Sequence, residues 1–154
     1  MDSSGTTSTP VKITFPRLGR VLPRNRLFTQ LDDARQRRIV WISAPPGAGK
    51  TTLAASYLVE RSLQSLWYQM DEGDADIASF FYYMGLAAKK AGPHLKKSLP
   101  LFTPEYALGL PVFTRRYFEQ LYSGMKAPFV IVLDNYQTVP TDSARMKLSV
   151  MAWN

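Results

Sequence analysis

Residues 39–60 read IVWISAPPGAGKTTLAASYLVE, and the middle of that run, Ala44-Pro45-Pro46-Gly47-Ala48-Gly49-Lys50-Thr51-Thr52, decides the fold. Ile39-Val40-Trp41-Ile42 ahead of it is short and apolar, the composition of a strand buried on both faces. Behind it, Lys50 to about Ser65 holds good helix formers with no Gly or Pro, so a helix is expected where the glycines end. Between the two lies the pattern G-x-x-x-x-G-K-[ST], with Ala44 in place of its first glycine. Glycines let such a turn aim its backbone amides inward, at a helix N-terminus already biased toward anions, and this suits a diphosphate. Gly47, Ala48 and Gly49 are then expected to form the cradle. Lys50 neutralises the β and γ phosphates, Thr51 offers its hydroxyl to Mg²⁺, and Thr52 reaches the α phosphate. The bland alternative, a glycine-rich turn beside a surface lysine, explains the bare pattern but not its setting between strand and helix.

Outward from the loop, Phe129-Val130-Ile131-Val132-Leu133 is the clearest strand of the chain, and it closes on Asp134. Parallel strands end at the sheet's carboxyl edge, where ligands collect in open α/β folds. Asp134 is thereby expected beside the loop, holding Mg²⁺, usually through water. An acid after a core strand is a weak signal alone; paired with the loop, it completes a Walker A and Walker B combination.

The remaining elements follow from periodicity. Arg24 to Arg38 reads as a helix with Leu27 and Leu31 one turn apart, and Leu66 to Met70 as a second strand. Asp71, Glu72, Asp74 and Asp76 form an acidic turn that caps the next helix. Its apolar positions, Ile77, Phe80, Phe81, Met84 and Ala88, share one face up to Gly92-Pro93. Three prolines leave Lys96 to Pro111 irregular, after which Leu110, Phe113, Tyr117 and Leu121 step by about one helical turn. Residues 1–16, rich in Ser, Thr, Gly and Pro, read as a flexible N-terminal segment. Strand, loop, helix, strand, helix, helix, strand is the rhythm of an α/β domain with a parallel sheet.

Composition narrows the function. The 154 residues, 45% of them hydrophobic, suffice for one domain with an apolar core. The absence of cysteine excludes disulfides, thiolate metal sites and cysteine nucleophiles, and a single histidine, His94, excludes most histidine-built metal centres. A net charge of +7 favours anionic partners such as nucleotides. No apolar run approaches the roughly 18 residues a membrane span needs, and the first ten residues lack a secretory layout, so a cytoplasmic location is expected.

Three segments in order, IVWISAPPGAGKTTLAASYL, WYQMDEGDADIASFFYYM and VIVLDNYQ, resemble the N-terminal ATPase domain of MalT-like, LuxR-type transcriptional regulators, which are STAND-class P-loop NTPases. The resemblance covers roughly Arg17 to Pro140. It implies a three-layer α/β P-loop NTPase fold, truncated here after the Walker B strand. It also implies ATP and Mg²⁺ as cofactors, and a nucleotide switch whose longer parent self-associates and meets DNA through a C-terminal domain. Pro23-Arg24-Asn25-Arg26-Leu27 is similar to the family's arginine motif, which implies that Arg24 lies near the nucleotide.

Two departures bear on activity. The family's second acid after the Mg²⁺ aspartate is here Asn135, and a neutral amide cannot serve as general base, so at most slow ATP hydrolysis is expected. The family also implies a further strand between the Walker B and loop strands, yet residues 141–154, TDSARMKLSVMAWN after Pro140, are atypical. Met146, Leu148 and Val150 alternate with Lys147 and Ser149 and fit a strand. The chain is therefore expected to be an N-terminal fragment, with residues 17–140 forming the ATPase domain. The rivals are an active small P-loop ATPase or kinase, and a non-binding remnant.

Other features have plainer readings. The early arginines, and the patch of Lys89, Lys90, His94, Lys96 and Lys97, read as solvated surface rather than a DNA site. Trp41 and Trp67 read as core or interdomain packing.

Overall fold

Two short runs from the central and later parts of the chain find each other. Gln64–Gln69 (β1) and Phe129–Asp134 (β2) pair in parallel, Gln64 opposite Phe129 and Gln69 opposite Asp134. The computed structural model describes residues 10–92, 95 and 98–139, and among these the sheet has two strands. Four α-helices accompany it: α1 (Asn25–Ala34), α2 (Lys50–Glu60), α3 (Ile77–Ala91) and α4 (Leu110–Gly124). The architecture is mixed α/β with a small parallel sheet.

Alternation along the strands sorts their side chains between two cores. Leu66, Tyr68, Ile131 and Leu133 join a large cluster with Phe80, Phe81 and Met84 of α3 and Phe113, Tyr117 and Leu121 of α4. Trp67, Val130 and Val132 face the other way and pack with Ala55 and Leu58 of α2. Aromatic rings dominate the first cluster: Phe81 lies 4.8 Å from both Phe113 and Tyr117, in edge and tilted contacts that add to area burial. The buried Tyr117 hydroxyl donates to the carbonyl of Phe81, which ties α4 to α3.

Caps set the helix ends. Asp76 caps α3 by accepting from the amide of Ser79 at 2.9 Å, and Asp71 and Asp74 form a reciprocal capping box around the turn Glu72–Ala75. Helix α2 stops at Glu60, earlier than Ser65, because Ser62 adopts φ 50° and the amides of Ser62 and Leu63 fold back onto the carbonyls of Val59 and Leu58. This is a Schellman ending with serine where glycine usually stands. The proline-rich stretch includes a 3-10 turn at Pro104–Gly109.

One expected element is corrected. Ile39-Val40-Trp41-Ile42 is not a strand, and Ile39, Val40 and Trp41 are 43%, 40% and 61% exposed. A groove separates this run from β2, so neither finds the other's hydrogen-bonding groups. Trp41 consequently stands outside the core with its ring edge-on to Tyr136, whereas Trp67 is buried. Residues 1–9, Pro93, His94, Lys96, Lys97 and residues 140–154, with the alternating Met146, Leu148 and Val150, lie outside the described residues. No helix among the described residues is long and apolar enough to cross a membrane.

Candidate phosphate and cation site

The loop expected to bind phosphate is built by two glycines in the left-handed region. Gly47 and Gly49 both have φ 79°, a conformation that side chains with a Cβ rarely adopt. Gly49 is the N-cap of α2, which starts at Lys50, and the amide of Leu53 bonds back to the Gly49 carbonyl at 2.8 Å. The first amides of α2, from Lys50 to Thr52, therefore open toward the loop without intrahelical partners, and the helix dipole adds positive potential there.

Two cations stand on this turn. Lys50 folds over the loop and its Nζ donates to the carbonyls of Ala44 (2.8 Å) and Pro45 (3.2 Å). Arg24 reaches from the start of α1 and donates to the carbonyl of Ala48 at 3.2 Å. Its guanidinium nitrogen sits 3.0 Å from where a Cβ on Gly49 would be, so a side chain at 49 would meet a strained φ and would press the Arg24 guanidinium aside. Helix α1 holds Arg24 in place through α2: Phe28 packs with Leu53 and Tyr57, and Asp32 accepts from Arg61 at 2.8 Å and from the Tyr57 hydroxyl at 2.7 Å. Hydrogen bonds from Arg61 and then Tyr57 push the Asp32 carboxyl down to about 2.

The second half of the site comes from the far end of the chain. Thr51 on the first turn of α2 donates its hydroxyl to Asp134 Oδ2 at 2.8 Å, across 83 positions of sequence. The other carboxylate oxygen, Oδ1, accepts from the amide of Asn135 at 3.0 Å, with Asn135 at φ 56°, a conformation asparagine tolerates well. The two oxygen donors expected to share Mg²⁺ are thus within hydrogen-bonding distance of each other. A hydroxyl and a carboxylate are the hard ligands that Mg²⁺ takes, with waters completing its shell. Among the described residues no group of three or more His, Cys, Asp or Glu side chains gathers as a metal cage.

The structure brings Arg24, Gly47, Ala48, Gly49, Lys50, Thr51 and Asp134 into one neighbourhood, with Thr52 next along the same helical turn. Sequence reasoning did not find the Asp32–Arg61–Tyr57 brace; the spacing of these residues, split between two helices, carries no pattern. Neither did it find the groove of about 220 Å³ that runs from Lys50 and Asp134 along β2.

The family model described as Nephrocystin 3, N-terminal, matches residues 19–101, which include the loop. Among curated proteins, the HTH-type transcriptional regulator MalT of Yersinia pestis (strain Pestoides F) is 32% identical over 136 residues, 87% of this chain and 15% of that protein. MalT of Yersinia pseudotuberculosis serotype O:1b matches with the same figures, and MalT of Yersinia enterocolitica serotype O:8 is 31% identical over the same shares. The chain thus spans about a seventh of the length of these relatives. No solved structure matches it.

Proposed function

The chain belongs to the Nephrocystin 3, N-terminal family and is homologous to MalT regulators, and from that premise we propose that it is a MgATP-binding nucleotide-switch domain with little or no hydrolysis. The reading includes a three-layer P-loop fold. The observation that supports it most directly is the Thr51–Asp134 hydrogen bond, because it joins the cation-binding ends of two motifs far apart in sequence. Gly47, Ala48 and Gly49 cradle the phosphates with the first amides of α2, Lys50 and Arg24 supply positive charge, and Thr52 adds a hydroxyl. Thr51 and Asp134 hold Mg²⁺, which supplies charge neutralisation on the phosphate oxygens when bound. Asn135 beside Asp134 has no proton-accepting carboxylate, which favours a switch over an active ATPase or kinase.

In a longer parent this domain would report nucleotide occupancy to self-association and to a DNA-binding region elsewhere in that protein, in the cytoplasm. Lys50→Ala tests the site. A fluorescent ATP analogue with Mg²⁺ is expected to give a saturable signal with the natural sequence and at least about tenfold weaker binding, about 1.4 kcal/mol, with the variant. The circular dichroism spectrum should be unchanged. Undiminished affinity in a folded Lys50→Ala protein refutes the assignment.

A further inference from the structure

Helices α1 and α2 lie side by side and run the same way, joined in three layers. At their starts, Arg24 donates to the carbonyl of Ala48 at 3.2 Å and lies against Gly49. In the middle, the buried Phe28 ring packs with Leu53 and meets the Tyr57 ring edge-on at 5.6 Å. At their ends, Asp32 takes a forked pair of bonds from Arg61, Nε to Oδ1 at 3.0 Å and Nη2 to Oδ2 at 2.8 Å, and a third from the Tyr57 hydroxyl at 2.7 Å. The Arg61 guanidinium also lies 5.8 Å from the centres of both the Phe28 and the Tyr57 rings. The order shows only once the helices are paired: Arg24, Phe28 and Asp32 step by four along one, and Gly49, Leu53, Tyr57 and Arg61 step by four along the other.

We propose that Asp32, held by Arg61 and Tyr57, is a positioning residue for nucleotide binding: it fixes the tilt of α1 and so keeps the Arg24 guanidinium at the phosphate cradle. The inference rests on the MgATP reading above and adds to it a residue far from the cradle. Phe28 anchors α1 in the core, and one packed ring leaves a helix free to pivot about it. Arg24 and Asp32 stand four residues to either side of Phe28, about 6 Å each way along the axis, so a swing at one end displaces the other by as much in the opposite direction. Freeing Asp32 therefore carries Arg24 off the cradle. The Asp32–Arg61 pair is 34% exposed on both sides, a setting where an ion pair adds little stability, and its two-point geometry serves orientation instead.

Binding of a fluorescent ATP analogue with Mg²⁺ to the full chain tests the inference through a double-mutant cycle. Arg24→Ala is expected to weaken binding about tenfold, and Asp32→Ala at least about threefold. Alanine is the best helix former, so the loss in Asp32→Ala does not come from α1 unwinding. The decisive comparison is the double variant, which should bind no more weakly than Arg24→Ala alone, because Asp32 has nothing left to position. Losses that multiply, as from a general weakening of the fold, overturn the proposal, and so does undiminished affinity in either single variant. Arg61→Ala removes the same forked pair from the other helix and is expected to repeat the result, so the outcome does not hang on the folding of one variant. Hydrogen exchange of the free protein supplies a readout without nucleotide. Asp32→Ala should speed exchange of the α1 amides of residues 28–35 and leave those of α3 unchanged; unaltered exchange over residues 28–35 overturns the pivot. No saturable binding by the natural sequence would remove the MgATP reading and this inference with it, whereas equal binding by the natural sequence and Asp32→Ala removes only the role of Asp32.

Discussion

The two strands of the sheet have opposite fates at their outer edges. Along β1, residues 10–18 wrap the strand: Ile13 joins Leu66 and Tyr68 on one face, and Phe15 and Leu18 join Trp67 on the other. Leu66, Trp67 and Tyr68 are accordingly 0%, 4% and 0% exposed, whereas no residue of β2 is fully buried. Composition ranks the strands the other way, FVIVLD being far more apolar than QSLWYQ. Burial of a strand therefore follows from what lies beside it as much as from its own residues.

The wrap on β1 is pinned by one charge. Lys12 meets Asp71 and the fully buried Asp74 at 2.9 Å each, under the rings of Tyr68 and Tyr83, while the Tyr68 hydroxyl donates to Asp74 at 2.6 Å. Burial works against the Lys12 ammonium, but its bonds to Asp71 and Asp74 outweigh that and raise its pKa above 10.5. Burial, and then the bond to Asp74, raises the Tyr68 hydroxyl as well.

The largest effect on this comparison is expected from Lys12→Ala, which leaves the Asp74 carboxylate buried without its cation and loosens the wrap. Urea unfolding should register a loss of about 3 kcal/mol. A loss within about 0.5 kcal/mol, the range of ordinary surface substitutions, would show that the wrap does not depend on the pair. A smaller effect should come from pH. A group whose folded pKa is raised stabilises the fold fully below its unfolded value and loses that contribution as pH rises through the folded one. Lys12 and Tyr68 share this sign, so the urea midpoint should fall as pH rises above about 10. The fall should be shallower in Lys12→Ala; identical slopes would remove Lys12 from the explanation. The smallest effect is expected on the other edge, where Trp41→Ser should change stability by less than about 0.5 kcal/mol, since the ring is largely exposed. A loss of several times that would mean the groove's wall supports the fold.

Local signals were readable wherever a residue's conformation is settled by its immediate neighbours. Gly47 and Gly49 announce the left-handed turn, Asp76 announces the start of α3, and the unbroken apolar run of Phe129 to Leu133 with a terminal Asp134 marks β2. The pairing of Thr51 with Asp134 was legible because two separate patterns each predict a position at the same sheet edge. Signals that depend on distant partners were not. Ile39-Val40-Trp41-Ile42 has the composition of a strand but pairs with none among the described residues, and Ser62 ends α2 without the glycine that would advertise a stop. Lys12 sits in the stretch that reads as a flexible N-terminal segment, and nothing near it hints that Asp71 and Asp74, some sixty residues on, will hold it.

Nucleotide binding at the carboxyl end of this sheet is tested most directly by thermal unfolding of the full chain with and without MgATP. At about 100 times the dissociation constant, linkage adds about 2.7 kcal/mol. For a domain of this size that corresponds to a rise of about 5–10 °C. The account predicts this rise with ATP and Mg²⁺ together, a smaller one when EDTA removes the metal, and none in Lys50→Ala. A cooperative transition that stays at the same temperature in millimolar MgATP would contradict it.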